Sequence, residues 1–170
     1  MMNFAFWHMK HAAMVSAKPD LDMEEAKKVH TSLRKAAGLI KFVQDTLVHQ
    51  LVEKVKHGSD LDIRVISAYL NQCTAEAQEV TIARAIELKH NPGLISSLSY
   101  ETSKMFTTAA DSLSTLEPKS FGHWRAYFQL KSKFYMAQAF NYQGENMLGQ
   151  DKCGEAIRSL QESKKSKLNY

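Results

Sequence analysis

The stretch AEAQEVTIARAIELKHNPGLISSLSYE, residues 75–101, decides the fold. Its first sixteen residues, 75–90, contain neither glycine nor proline, the two residues that interrupt a helix interior. The break comes at Asn91-Pro92-Gly93. Asn91 reads as an N-cap and Pro92 as the first helical position, where proline's missing N–H is not needed. Beyond it Ile95, Leu98, Thr102, Met105, Ala109, Leu113 and Leu116 step by three and four, one face of a second helix. Two long helices therefore meet at a tight turn.

The same periodicity extends in both directions. Upstream, the loop His57-Gly58-Ser59-Asp60 precedes the first of these helices, expected over 61–90 with Ser59 or Asp60 as its cap. Asp22 caps an earlier helix with Glu24 and Glu25 in its first turn, and Val29, Leu33, Ala36, Ala37, Ile40, Val43 and Leu47 form its apolar face, with a flex at Gly38. Residues 3–17 read as an amphipathic helix on Phe4, Trp7, His11, Met14 and Val15, ended by Lys18-Pro19-Asp20.

Downstream of Glu117-Pro118, a helix over 120–148 carries Phe121, Phe128, Tyr135 and Tyr142 at intervals of seven, so the rings wind slowly along one side. A last helix runs from Cys153 to about Lys164. Phe140-x2-Gln143-Gly144-x2-Met147 followed by Ala156-x3-Leu160 has the spacing of one tetratricopeptide helical hairpin. No strand pattern is present. The fold class is all-α, a curved helical solenoid with tetratricopeptide-like hairpins.

Composition is that of a globular chain: 170 residues, 44% hydrophobic and 24% charged, with a net charge of +4. The two cysteines, Cys73 and Cys153, belong to no C-x-x-C pair and read as reduced, mostly buried thiols. The N-terminal MMNFAFWHMKHAAMVSA is interrupted by His8, Lys10 and His11 and fits neither a signal peptide nor a membrane span.

Catalytic signatures do not appear: the chain has no G-x-S-x-G, phosphate loop, G-x-G-x-x-G or H-E-x-x-H. His8 and His11 form an i, i+3 pair without a third ligand at metal spacing, and read as packing residues. Neither a metal nor a cofactor is expected. Glu79 falls on the apolar side of its helix with Ala75, Ile82, Ala83 and Ile86, and reads as a structural hydrogen-bond hub shared with Gln78 rather than an active-site acid. Trp124-Arg125-x-Tyr127 and Lys131-x-Lys133-Phe134-Tyr135 interleave bases and rings, but the rings read as core and the lysines as the solvated opposite face, so nucleic acid is not an expected partner. Lys164-Lys165-Ser166-Lys167 reads as a frayed polar tail.

Leu94 and Leu98 lie at one edge of the apolar stripe, and the return across Asn91-Pro92-Gly93 brings Thr81 and Arg84 toward them. From the stripe alone, both leucines read as core. Left uncovered, they would border an apolar groove with a cationic rim, suited to an acidic amphipathic helix.

The run AEAQEVTIARAIELKHNPGLISSLSYE, with DMEEAKKVHTSLRKAAGLIKF upstream and DKCGEAIRSLQES downstream, resembles the central part of a Bro1 domain, most nearly the Brox-type branch of that family. The resemblance covers residues 1–163 as a partial Bro1 domain and leaves 164–170 as a divergent basic tail. It implies a non-catalytic adaptor of the ESCRT machinery, which binds the C-terminal amphipathic helix of CHMP4-type ESCRT-III subunits on a concave helical face. Partner-binding positions carried over are Leu94 and Leu98, Thr81 where a related branch has phenylalanine, Arg84 where it has lysine, and Lys27. The resemblance also implies a cytoplasmic protein, at most peripheral at endosomal or nuclear membranes.

Complete Bro1 domains are more than twice as long, so the apolar faces of the first and last helices are expected to be exposed, favouring self-association. Lys167-Leu168-Asn169-Tyr170 is not a prenylation box, whereas the Brox-type branch ends in one. A second reading is a tetratricopeptide-like module that binds a cytoskeletal or nuclear-envelope partner through the aromatic helix over 120–148; a fragment without function is a third.

Overall fold

The computed structural model describes residues 1–18, 22–52 and 54–168. Among them it forms six α-helices and no strand: α1 (Met2–Ser16), α2 (Met23–Phe42), α3 (Ile63–Glu87), α4 (Pro92–Ser112), α5 (Pro118–Leu148) and α6 (Cys153–Leu168). Each packs chiefly on its neighbours in the chain, α1 on α2 through to α5 on α6, which is the stacking of a solenoid.

The termini follow local chemistry. Asp22 and Glu25 form a reciprocal capping box at the start of α2, the Asp22 carboxylate accepting from the Glu25 N–H at 2.7 Å. The expected stop at Lys18-Pro19-Asp20 falls partly outside the described residues. Helix α3 starts two residues later than expected, because Asp62 rather than Ser59 or Asp60 is the cap. Its carboxylate accepts from the Gly58 and Arg64 N–H groups and pairs with the Arg64 guanidinium, which also donates to Thr115. These hydrogen bonds hold the Asp62 carboxyl well below the usual carboxylate range.

The α3–α4 turn is a Schellman ending followed directly by a new cap. Lys89 takes the left-handed conformation (φ 52°), the Lys89 N–H donates to the Ile86 carbonyl at 3.0 Å, and the His90 N–H donates to Ala85 at 2.9 Å. Asn91 then caps α4, its side chain accepting from the Gly93 N–H at 2.7 Å with Pro92 in the first turn.

The ring heptad of α5 packs as read: Phe128 and Tyr135 are buried with Phe106 of α4, and Phe121 and Tyr142 flank them. The α5–α6 hairpin closes where the tetratricopeptide spacing places it. Gly144 is buried, and a Cβ there would lie 2.8 Å from Leu160 Cγ and 3.3 Å from the Ala156 carbonyl oxygen, so only glycine permits this approach.

Four expectations are corrected. Helix α2 passes straight through Gly38; its irregularity lies further on, in a π-helical turn at Val43–Leu47 and a 3₁₀ turn at Val48–Gln50. Helix α1 buries its small face, Ala5, His8 and Ala12, because small side chains let it lie close on α2, and turns Phe4, Trp7 and Met14 outward. Ala83, placed on the apolar side of α3, is exposed. Cys73 is buried but Cys153, in the first turn of α6, is exposed. With Phe4, Trp7 and Met14 on α1 and Ile157 and Leu160 on α6 open to solvent, the first and last helices present apolar faces as expected.

Candidate functional site

Helix α3, the first of the pair quoted at the outset, contributes one wall of a groove. Between α2 and α3 lies an open channel of about 380 Å³, bordered by Met23, Lys27 and His30 of α2 and by Thr81, Arg84 and Leu88 of α3. Met23 and His30 lie four residues before and three after Lys27, so all three share one helical stripe. Thr81, Arg84 and Leu88 are spaced the same way on α3. Val80 and Ala26 form the floor.

The walls are apolar and the rim cationic. Met23 and Leu88 are 61% and 58% exposed, far more than large aliphatic side chains with an internal neighbour. The Thr81 hydroxyl faces its own helix, 3.4 Å from the Ala77 carbonyl. Arg84 forms an ion pair with Glu87 one turn on. Lys27 extends into solvent on the opposite bank.

Three of the five positions assigned from sequence, Lys27, Thr81 and Arg84, thus come together. Leu94 and Leu98 do not border this channel. Leu94 is 48% exposed on the first turn of α4, while Leu98 is half-buried against the α3–α4–α5 core. The stripe reading therefore holds for Leu98 and the uncovered reading for Leu94. Met23, His30, Val80 and Leu88 were not assigned from sequence, although the steps of three and four around Lys27 and Arg84 place them beside those residues.

A second polar cluster joins α3 to α5. Lys131 donates to both Glu79 carboxylate oxygens, at 2.8 and 3.1 Å, and lies within 6.0 Å of the ring centres of Phe106, Tyr127 and Tyr135. Trp124 Nε1 donates to Gln72, and the Gln72 amide donates to Glu76 at 2.7 Å. Burial pushes the carboxyls of Glu76 and Glu79 upward against the pull of Lys131, and raises the Tyr127 and Tyr135 phenols. Glu79 is the structural hub expected.

Its companions differ from the reading. Gln78 takes no part; Gln72 and Glu76, seven and three residues before Glu79, share its face. Lys131 is not on a solvated face, because three residues after Phe128 and four before Tyr135 it falls among the rings. Trp124 and Phe128 are packed inward, which leaves Tyr127 and Phe134 as open parts of the ring surface invoked for a different partner.

The histidine pair of α1 sits against rings rather than ligands. His8 lies edge-on to Phe4 at 4.8 Å and His11 is 5.4 Å from Trp7, and burial together with Lys35 and His11 pulls the His8 imidazole down. Among the described residues no three metal-ligating side chains cluster, and no helix is long and apolar enough to cross a membrane.

The model of the BRO1-like domain matches residues 1–168, so the match takes in every helix described above. The chain belongs to the BRO1-like domain family. It is similar to the BRO1 domain-containing protein BROX of Xenopus tropicalis, 53% identical over 163 residues that make up 96% of this chain and 40% of that protein. The BRO1 domain-containing protein BROX homolog of Caenorhabditis elegans is 43% identical over 158 residues, 93% of this chain and 37% of that protein. The vacuolar protein-sorting protein BRO1 of Gibberella zeae is 25% identical over 149 residues, 86% of this chain and 14% of that protein. The chain spans about 40% of the length of the BROX proteins it matches.

Proposed function

We propose that the chain is a non-catalytic adaptor whose α2–α3 groove docks the C-terminal amphipathic helix of CHMP4-type ESCRT-III subunits, at endosomal or nuclear-envelope membranes. The observation that carries the reading is the convergence of Lys27, Thr81 and Arg84 on one channel with exposed aliphatic walls. An amphipathic helix laid there buries its apolar stripe on Met23, Val80 and Leu88. Its acidic flank meets Lys27 and Arg84. Leu94, exposed on the first turn of α4 outside the channel, is a further apolar contact for the docked helix, while Leu98 is packed on the core.

Thr81 offers a methyl group where a related branch of the family has an aromatic ring. Since large aromatic anchors carry much of an interface's energy, the groove holds its partner through aliphatic contacts and charge. Membership of the BRO1-like family and kinship with a vacuolar protein-sorting protein support the placement among sorting and membrane-remodelling machinery.

Calorimetric titration of the chain with a CHMP4-type C-terminal peptide tests the reading. Saturable binding that weakens at least about tenfold in Leu88→Asp and in Leu94→Asp, each change worth ~1.4 kcal/mol or more, is expected. Equal affinity in all three proteins removes the groove from the account. Leu98 is left intact, because its partial burial would confuse binding with folding.

A further inference from the structure

A second cavity, about 300 Å³, opens between α1, α2, α3 and α5 and shares only Val80 with the groove. Glu76, Glu79, Tyr127 and Lys131 form its polar side, and Val29, Leu33 and Val80 its apolar side. This volume is at the lower end of the roughly 300–1,000 Å³ of small-ligand sites, room for one slender group.

The charges in it do not cancel. Two carboxylates face one ammonium, and Lys131 gives both its hydrogen bonds to Glu79. Glu76 receives only uncharged donors, the Gln72 amide at 2.7 Å and the Tyr127 hydroxyl at 3.5 Å. A half-buried carboxylate that shares its one nearby counter-charge with a second carboxylate is incompletely compensated, and a cation brought to it relieves that cost. Burial pushes the Glu76 carboxyl upward, as the same imbalance requires.

The surroundings are already suited to a cation. Tyr127, Phe106 and Tyr135 stand 5.7, 5.9 and 6.0 Å from the Lys131 ammonium, within the range in which ring faces attract positive charge. The chain's own lysine shows an ammonium held here by a carboxylate and ring faces, and of those rings Tyr127 borders the cavity. An anion would meet two carboxylates, and a neutral guest would leave Glu76 uncompensated.

We propose that this cavity binds an alkyl cation, an alkyl-guanidinium or alkyl-ammonium group such as an arginine or lysine side chain or a free amine, with its head on Glu76 and its stem against Leu33 and Val80. The site is separate from the α2–α3 groove and does not depend on the function assigned to it.

The test is an NMR titration of the full chain with n-butylguanidinium chloride, with n-butanol as the neutral counterpart, following the Tyr127 ring and the Lys131 ammonium. Saturation at least about tenfold tighter for the cation than for the alcohol is expected, with that advantage lost in Glu76→Gln and kept in Arg84→Glu. Equal affinity for the alcohol overturns the proposal on the unsubstituted protein alone, whether or not Glu76→Gln folds. Undiminished cation binding by folded Glu76→Gln also overturns it, and tighter cation binding in Arg84→Glu would show that the cation sits in the groove instead, where that change replaces a repelling charge by an attracting one. A parallel arm uses acetyl-Gly-Gly-Arg-Gly-Gly-amide: tighter binding than n-butylguanidinium assigns the site to a partner's side chain, weaker binding assigns it to a free amine, and saturation by neither refutes it.

Discussion

Replacing Lys131 by methionine isolates the polar link between α3 and α5. Methionine keeps most of the stem against Phe106 and Tyr135 but removes the ammonium that donates to Glu79 at 2.8 and 3.1 Å. Glu79 and Glu76 are then left facing each other with no cation between them. Breaking a fully buried ion pair costs about 3–5 kcal/mol, but these side chains keep 29% and 20% of their exposure, and water screens part of the loss. About 1–3 kcal/mol is the resulting expectation at neutral pH, or a fall of roughly 2–12 °C in melting temperature for a chain of this size.

The pH dependence carries a definite sign. The folded Glu76 and Glu79 carboxyls are already raised above their ordinary values, and losing Lys131 raises Glu79 further. The folded state then binds protons more tightly than the unfolded one, so stability grows as pH falls through the raised values and is lost as pH rises through them. Thermal melts of both proteins between pH 5 and pH 8, followed by circular dichroism, read the effect. A gap that is widest at high pH and narrows toward pH 5 is predicted. A gap independent of pH, or a loss under about 0.5 kcal/mol at pH 7, would refute the assignment of Lys131 as the counter-ion.

Three other outcomes follow from the fold. Phe128→Ala should cost about 3–5 kcal/mol in urea unfolding, whereas Phe134→Ala, six residues on and 51% exposed, should cost under about 1 kcal/mol. Asp62→Ala should lose about 1–2 kcal/mol at pH 7 through the missing cap and the freed Arg64; because the folded Asp62 carboxyl is held low, the native advantage is full above the ordinary carboxylate range and fades as pH drops below about 4. In native protein a thiol reagent should modify Cys153 at once and reach Cys73, buried and with its thiol pushed up, only on unfolding.

Much of this architecture is legible in the sequence because its signals are local. The Asn91-Pro92 start of α4, the Asp22 capping box and the heptad of rings on α5 each depend on residues within a turn or two of one another. The Gly144 contact was legible through its spacing, since a glycine between rings and facing Ala156 has few other uses. What was not legible depends on which neighbours exist. The apolar stripe Phe4, Trp7 and Met14 looks like a core face, yet α1 meets α2 and α3 through small Ala5 and Ala12, which win the close contact. The π-helical turn at Val43–Leu47 has no glycine or proline to announce it.

The candidate site divides along the same line. Thr81 and Arg84 follow from the return across Asn91-Pro92-Gly93 and Lys27 from family resemblance, and their convergence needs two helices to be placed side by side. Leu94 and Leu98 share a stripe, so nothing in their spacing separates the exposed one from the half-buried one. Lysine reads by default as a solvent-facing residue, which misplaces Lys131, whose position between Phe128 and Tyr135 puts it on the ring face.

The central claim is that the cationic rim of the α2–α3 groove receives the acidic flank of an amphipathic ESCRT-III helix. A charge-swap cycle tests it most directly: Arg84→Glu paired with a CHMP4-type peptide whose acidic residues are changed to lysine, with all four combinations titrated at one salt concentration. Each single change is predicted to weaken binding, and the two together to recover at least about tenfold of the loss, a coupling of ~1.4 kcal/mol. Losses that simply add, or an affinity indifferent to Arg84, would contradict the docking account.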